Sequence, residues 1–188
     1  MDRKKHVVEA ATKSFAQYGY KATTMDQVAK LANVGKGTIY TFYKNKDELF
    51  LEIVTSLILE MKGMAEEAMQ GKHSFYEKAH AALYRILEFR KEHQLTIKLL
   101  QEEREIGTPI VQQVVDKMER SIISYIEDKV SAAIVSGEIE DCNPKLTAFV
   151  MFKLYIALIF DWEKYADPLT EKEIAKLFEM YLLKGLSL

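Results

Sequence analysis

A chain of 188 residues, 48% hydrophobic, 11% aromatic and 29% charged, has the balance of an ordinary folded protein and not of a disordered or low-complexity one. Its net charge of −2 argues against a general nucleic-acid coat protein, yet the charge is unevenly spread: residues 1–50 carry nine Lys and Arg against five Asp and Glu, and the remainder 17 against 23. A basic head on an acidic body suggests that only the head meets a polyanion, although chance segregation of surface charge would give the same counts.

In chain order, residues 3–18 place Val8, Ala11, Phe15 and Tyr18 on one helical face, and Gly19 ends that helix. Thr24 and Gln27 form a capping box for a second helix, with Val28 and Leu31 inward and Asn33 as its left-handed stop. Gly35-Lys36-Gly37 opens the next turn, and Thr38 to Tyr43 is too short and too aromatic for an independent helix. Asn45 and Glu48 box the head of a long helix from Lys46 to about Gln70, striped by Phe50, Ile53, Val54, Leu57, Met61, Met64 and Ala68 and closed by Gly71.

Ser74 and Glu77 box the next helix, and a further helical stretch from about Gln94 to Glu105 ends before Gly107. Pro109, at a first helical turn, opens a helix with Val111, Val114, Val115, Met118, Ile122, Tyr125 and Ile126 inward, stopped by Gly137. Asn143-Pro144 starts a helix expected to reach about Tyr165. Pro168 breaks the chain, Thr170 and Glu173 box the last helix, and Gly185 marks its stop. No alternating strand pattern or repeat is visible. The expected fold is all-α with about nine helices: a three-helix head with a helix-turn-helix, over residues 1–46, and a helical body over 47–188.

The stretch from Thr24 to Leu49, within TTMDQVAKLANVGKGTIYTFYKNKDEL, has the helix, tight turn, helix form that lays a second helix into the major groove. Together with Phe15-Ala16 and Gly19-Tyr20 it resembles the TetR family of transcriptional regulators, whose usual pattern reads close to T-x-x-x-I-A-x-x-A-G-V-S-x-G-T-x-Y-x-Y-F-x-x-K. Three positions depart from it: Asn33 stands for the glycine, Gly35 for the serine, and the aromatic pair is reversed as Phe42-Tyr43. The resemblance implies DNA contacts from Thr24, Lys36, Gly37, Thr38, Tyr40 and Lys46.

The residues themselves add Gly35 for close backbone approach, Thr41 facing the groove, Tyr43 with its hydroxyl on a phosphate, and Lys44 clamping the backbone. Phe42 is expected in the core. The duller alternative is an ordinary helical corner, but several independent features agree on DNA. GKGT at 35–38 lacks both the spacing and the preceding strand of a phosphate loop.

His6, His73, His80 and His93 form no metal-ligand set, no nucleophile motif is present, and neither an enzyme nor a cofactor is expected. The longest apolar run, the seven residues from Leu154 to Phe160, is far short of the ~20 needed to span a bilayer. The basic start lacks the apolar segment of a signal peptide, and the single Cys142 suits a reducing compartment, so a cytoplasmic protein without membrane contact is expected.

In the body, Phe89, His93, Leu100, Met118, Tyr125, Phe152 and Tyr155 are candidates to line an apolar effector pocket, although for any one of them plain core is the commoner role. Leu154, Leu158, Trp162, Leu177, Phe178 and Tyr181 carry more apolar surface than a monomer of this size readily buries, which suggests a four-helix interface between two copies. The expected function is a ligand-responsive regulator, a repressor that binds palindromic double-stranded operator DNA as a homodimer and is released by a hydrophobic small molecule. The alternative is a helical carrier of apolar small molecules without specific DNA binding.

Overall fold

The computed structural model describes residues 2–186, which form nine α-helices and no strand. These are α1 (Arg3–Ala22), α2 (Met25–Ala32), α3 (Lys36–Tyr40), α4 (Lys46–Met69), α5 (Phe75–Glu92), α6 (Leu95–Glu105), α7 (Pro109–Val135), α8 (Pro144–Ile156) and α9 (Glu171–Tyr181). Among the described residues, no helix is long and apolar enough to cross a membrane. The chain packs as two compact units that do not follow chain order: residues 1–60 with 90–117, and residues 61–89 with 118–188.

In the first unit, α1 packs against α2 and α6. Its buried face is Val7, Ala10, Ala11, Ser14 and Phe15, spaced as one helical stripe. This corrects the sequence expectation, because Tyr18 is exposed and the buried stripe starts one residue earlier, at Val7. Phe15, Tyr20 and Phe50 pack as an aromatic cluster, with ring centroids 5.1 Å apart for Phe15 and Phe50 and 4.7 Å for Tyr20 and Phe50. In α2 the capping box of Thr24 and Gln27 is complete, and Asn33 takes the left-handed conformation with φ 51°. Its inward residues are Met25, Val28 and Ala29, whereas Leu31, expected inside, is 57% exposed.

Helix α1 does not end at Gly19. There the chain swings to φ 82° and then makes one more turn to Ala22, which leaves the amides beyond the break without helical acceptors. Glu102 of α6, itself buried, supplies the acceptor: Tyr20 donates its N–H to Oε2 at 2.5 Å and Lys21 donates to Oε1 at 2.9 Å. Thr108 Oγ1 donates to the same carboxylate at 2.9 Å. On the other side of the turn, Lys46 Nζ donates to the carbonyls of Tyr20 and Thr23, both at 2.8 Å, and lies 4.0 Å from the Tyr20 ring centroid.

The second unit holds two apolar clusters, one around Phe75, Val130, Ile139 and Leu183, the other around Leu87, Ile159, Ile174 and Phe178. The expected boxes at Ser74 and Glu77 and at Thr170 and Glu173 are present. The helix from Pro144 does not continue regularly to Tyr165: after Ile156 it widens into a π-helical turn over Ala157–Asp161 and tightens into a 3₁₀ turn over Trp162–Lys164.

A substitution separates the two kinds of glycine in the first unit. Gly19→Ala places a Cβ in a left-handed conformation, 2.5 Å from Glu102 Oε2. It is expected to destabilise the protein by about 1–3 kcal/mol. Gly37→Ala meets nothing within 4 Å, so the midpoint of thermal unfolding should fall for the first variant and hold or rise for the second.

Candidate functional site

The head presents α2, a turn and α3. Gly35 caps α3 in an extended conformation without any side-chain bond, consistent with the missing serine hydroxyl. Lys36 is exposed and pairs with Asp26 of the first turn of α2, with Nζ 2.8 Å from Oδ1. The Asp26 hydrogen bond and charge raise the Lys36 pKa, so the side chain is a fixed cation on the surface. Thr24, Gly35, Lys36, Gly37, Tyr40, Thr41 and Lys44 are all exposed and Thr38 is half-buried, which gathers eight of the ten candidates on one accessible segment.

The other two are engaged inside. The Tyr43 ring is 2% exposed and its hydroxyl donates to Glu52 at 2.9 Å, so it is not presented to a phosphate as the sequence reading had it. Burial, and then Glu52, raise its pKa and keep that hydroxyl a donor. Lys46 is held by the carbonyls of the α1 turn. Phe42, expected in the core, is 37% exposed instead. The reversed aromatic pair therefore keeps the buried position second and fills it with a tyrosine whose hydroxyl has Glu52 to bond, and Glu52 also pairs with Lys4 at 2.8 Å. Asp26 and Glu52 set these orientations from 10 and 9 residues away, a separation that carries no local sequence signal.

In the second unit a cavity of about 610 Å³ opens between segments of α4, α5, α7 and α8. Its wall is mostly apolar, including Met61, Met69, Phe75, Leu83, Ile86, Ile122, Ile126, Met151 and Phe178. Of the seven sequence candidates, Tyr125, Phe152 and Tyr155 line it. Phe89 and Met118 are buried elsewhere in that unit, and His93 and Leu100 belong to the other unit, where His93 Nε2 lies 3.8 Å from Glu60. Of the expected α4 stripe, Met61 supplies part of the wall.

Polar groups interrupt the wall. Lys129 pairs with Glu66 at 2.6 Å, Lys78 with Glu138 at 3.1 Å, and Lys62 donates to Ser121 Oγ at 2.9 Å. The Lys129 hydrogen bond holds the Glu66 carboxyl below the usual carboxylate range.

The candidate interface residues on the last helices divide. Trp162 and Tyr181 are 39% and 69% exposed, and Leu154, Leu158 and Leu177 are half-buried. Phe178 is 3% exposed and turns into its own chain, against the cavity and the second apolar cluster, so it is not a surface residue. Leu146, Phe149, Val150 and Met180 add exposed apolar surface on α8 and α9 that the sequence reading did not include.

Residues 7–53 match the model of bacterial regulatory proteins of the tetR family, and residues 72–186 that of the tetracyclin repressor-like C-terminal domain. The chain belongs to the TetR family. It is a helix-turn-helix transcriptional regulator, and the expected all-α fold with its N-terminal reading head is present. It is 66% identical over 187 residues to the HTH-type transcriptional regulator YhgD of Bacillus subtilis (strain 168), a match that covers 100% of this chain and 98% of that protein.

Among solved structures, a TetR-family transcriptional regulator from Rhodococcus sp. superposes with a TM-score of 0.81 at 18% identity, covering 98% of each chain. The transcriptional regulator FadR from Bacillus subtilis, solved in complex with stearoyl-CoA, gives a TM-score of 0.77 at 19% identity and covers 93% of this chain and 96% of that one.

The two tyrosines of the head should respond differently to loss of their hydroxyls. Tyr43→Phe forfeits the bond to Glu52 and is expected to cost about 0.5–1.5 kcal/mol. Tyr40→Phe, at an exposed position, is expected to leave the thermal midpoint where it is; an equal drop in both would remove the distinction between them.

Proposed function

We propose that this TetR-family protein is a dimeric repressor that binds a palindromic operator through its head and releases it when a hydrophobic small molecule enters the body. The observation that carries the reading is a single chain that combines an exposed helix-turn-helix segment with a largely apolar cavity in a separate compact unit. In functional terms, residues 1–46 read DNA and residues 47–188 bind the effector and form the dimer, with no enzymatic step. Exposed Leu146, Phe149, Val150, Trp162 and Tyr181 support a two-copy interface through α8 and the segment around α9. The stearoyl-CoA bound by FadR supports an effector with a long hydrocarbon chain. The lack of a membrane-crossing helix among the described residues fits action in the cytoplasm, where the operator is.

Release works as a population shift. The effector favours an arrangement of the body in which α4 carries the head out of register with the operator, and it must bind that arrangement better than the DNA-bound one. Within the head, Thr24, Gly35, Lys36, Gly37, Thr38, Tyr40, Thr41 and Lys44 are proposed to meet the duplex. Tyr43 and Lys46 then act by holding the segment in place.

The test is duplex binding across a salt series, using the DNA upstream of the protein's own coding region. Lys36→Ala is expected to weaken binding and reduce the slope of log affinity against log salt by about 1, with the fold intact. Asp26→Asn removes the internal partner of Lys36 and should strengthen binding. Unchanged affinity and slope in both variants would move the DNA contact away from α3. Ligand binding without any salt-dependent duplex affinity would favour the carrier reading.

A further inference from the structure

The cavity is apolar but not uniformly so, and its polar groups are not equivalent. Three ammonium groups and two carboxylates line it. Lys129 and Lys78 are each neutralised by a carboxylate, at 2.6 Å and 3.1 Å. Lys62 forms no ion pair among the described residues; its Nζ donates to the neutral Ser121 hydroxyl and lies 5.6 Å from the centroid of the Tyr125 ring. The Lys129 ammonium lies 5.3 Å from the same ring. The Tyr125 hydroxyl oxygen, in turn, is the one buried side-chain polar atom among the described residues that has no hydrogen-bond partner.

A buried hydroxyl without a partner is rare, because it has given up water and received nothing in return. Glu66 is the carboxylate that acts on this hydroxyl, but it is already held by Lys129 and leaves the hydroxyl without a completed hydrogen bond. Burial first, and then Glu66, raise the Tyr125 pKa well above the ordinary tyrosine value, so the group is a donor seeking an acceptor. A cationic ligand would find both carboxylates of the wall already paired. A ligand oxygen would find an unpaired donor and an ammonium group without a carboxylate on the same aromatic ring.

We propose that Tyr125 and Lys62 are the polar anchor of this cavity, and that its ligand is an alkyl chain ending in an oxygen acceptor, either a carboxylate or the carbonyl of a thioester. The proposal rests on the reading of the cavity as the effector site. The hydrocarbon chain lies along the methionine, leucine and isoleucine wall, and Tyr125 Oη donates to the acceptor. Lys62 supplies the charge where the end group is anionic. Anchoring at both residues also selects polarity, since a chain of equal length with a cationic end loses the bond and meets Lys62 as a like charge.

The test uses the full-length protein and three probes with the same sixteen-carbon chain: hexadecanoate, its coenzyme A thioester and hexadecyltrimethylammonium, each titrated below its micelle concentration. The wild type is expected to bind at least one acceptor-ended probe tenfold or more tightly than the cationic one. A preference for the free acid identifies a carboxylate ligand, and a preference for the thioester identifies an acyl carrier form.

Tyr125→Phe is expected to lose about tenfold in affinity for the preferred probe and little for the cation. Its thermal midpoint without ligand should hold or rise, because the hydroxyl has no completed hydrogen bond in the free protein; a structural hydroxyl would lower it. Lys62→Met should erase the preference for hexadecanoate over the cation. If all three probes bind equally and Tyr125→Phe changes nothing, the anchor is wrong while the cavity remains an effector site. If none of the probes binds to the wild type, both the anchor and the reading of the cavity fall.

Discussion

The break in α1 at Gly19 is the constraint on which the head depends. A helix that ends inside a packed unit must find partners for its last carbonyls and for the amides that follow, because leaving them buried and unpaired costs more than most contacts return. Here the amides after the break go to a carboxylate from α6 and the carbonyls go to an ammonium group from the first turn of α4. Glu102 and Lys46 thus hold one short turn from opposite sides, each helping to offset the burial of the other's charge. The Thr108 hydroxyl adds the entry to α7 to the same carboxylate. This explains why residues 90–117 pack with the first 60 even though they are separated in sequence: α6 and the start of α7 complete the end of α1.

The separation in sequence also explains what a single chain reveals about itself. Capping boxes at Thr24, Ser74 and Thr170 were legible because donor and acceptor stand three residues apart, and each is present. Glu102 lies 82 residues from Tyr20. In the sequence it is one carboxylate in the acidic run Glu102-Glu103-Arg104-Glu105, with no neighbour to mark it as a cap. Tyr43 is a similar case at shorter range. Which of two adjacent rings enters the core depends on the partner waiting inside, and Glu52 takes the hydroxyl that phenylalanine lacks. The widening of the chain after Ile156 carries no such local sign, since Leu154 to Phe160 is apolar on every side and suits several helical windings alike.

The cavity was only half legible for a different reason. An apolar stripe records which residues leave water, not whether they meet another side chain or a gap. Small residues from three helices border the space: Ala65 on α4, Ala79 and Ala82 on α5, and Ala132 and Ala133 on α7. Large rings and methionines are an ambiguous sign of a cavity, because Phe89 and Met118 fill core. Alanines recurring on three helices were the sign of a void, although their coincidence in space required the fold. The polar groups of the wall were hidden in the same way, because Lys62, Lys129 and Glu66 look like the charged margins of amphipathic helices until their pairing is seen.

On the proposed reading, the two halves of the function use unlike physics and must still communicate. DNA binding by the head is electrostatic and weakens with salt, whereas occupation of the cavity buries hydrocarbon and does not. The chain offers a direct route between them, because α4 and α7 each begin in the first compact unit and end in the second. The end of α4 that borders the cavity, at Met61, Lys62, Ala65, Glu66 and Met69, belongs to the same continuous helix as Lys46, which holds the turn of α1. A helix transmits displacement along its axis because its backbone bonds make it stiff, and packed cores move between discrete arrangements more readily than they deform. On that reading, a ligand that parts the wall of the cavity acts through α4 on the residue that fixes the head. How far the equilibrium then moves depends on how much better the ligand fits the parted arrangement than the closed one.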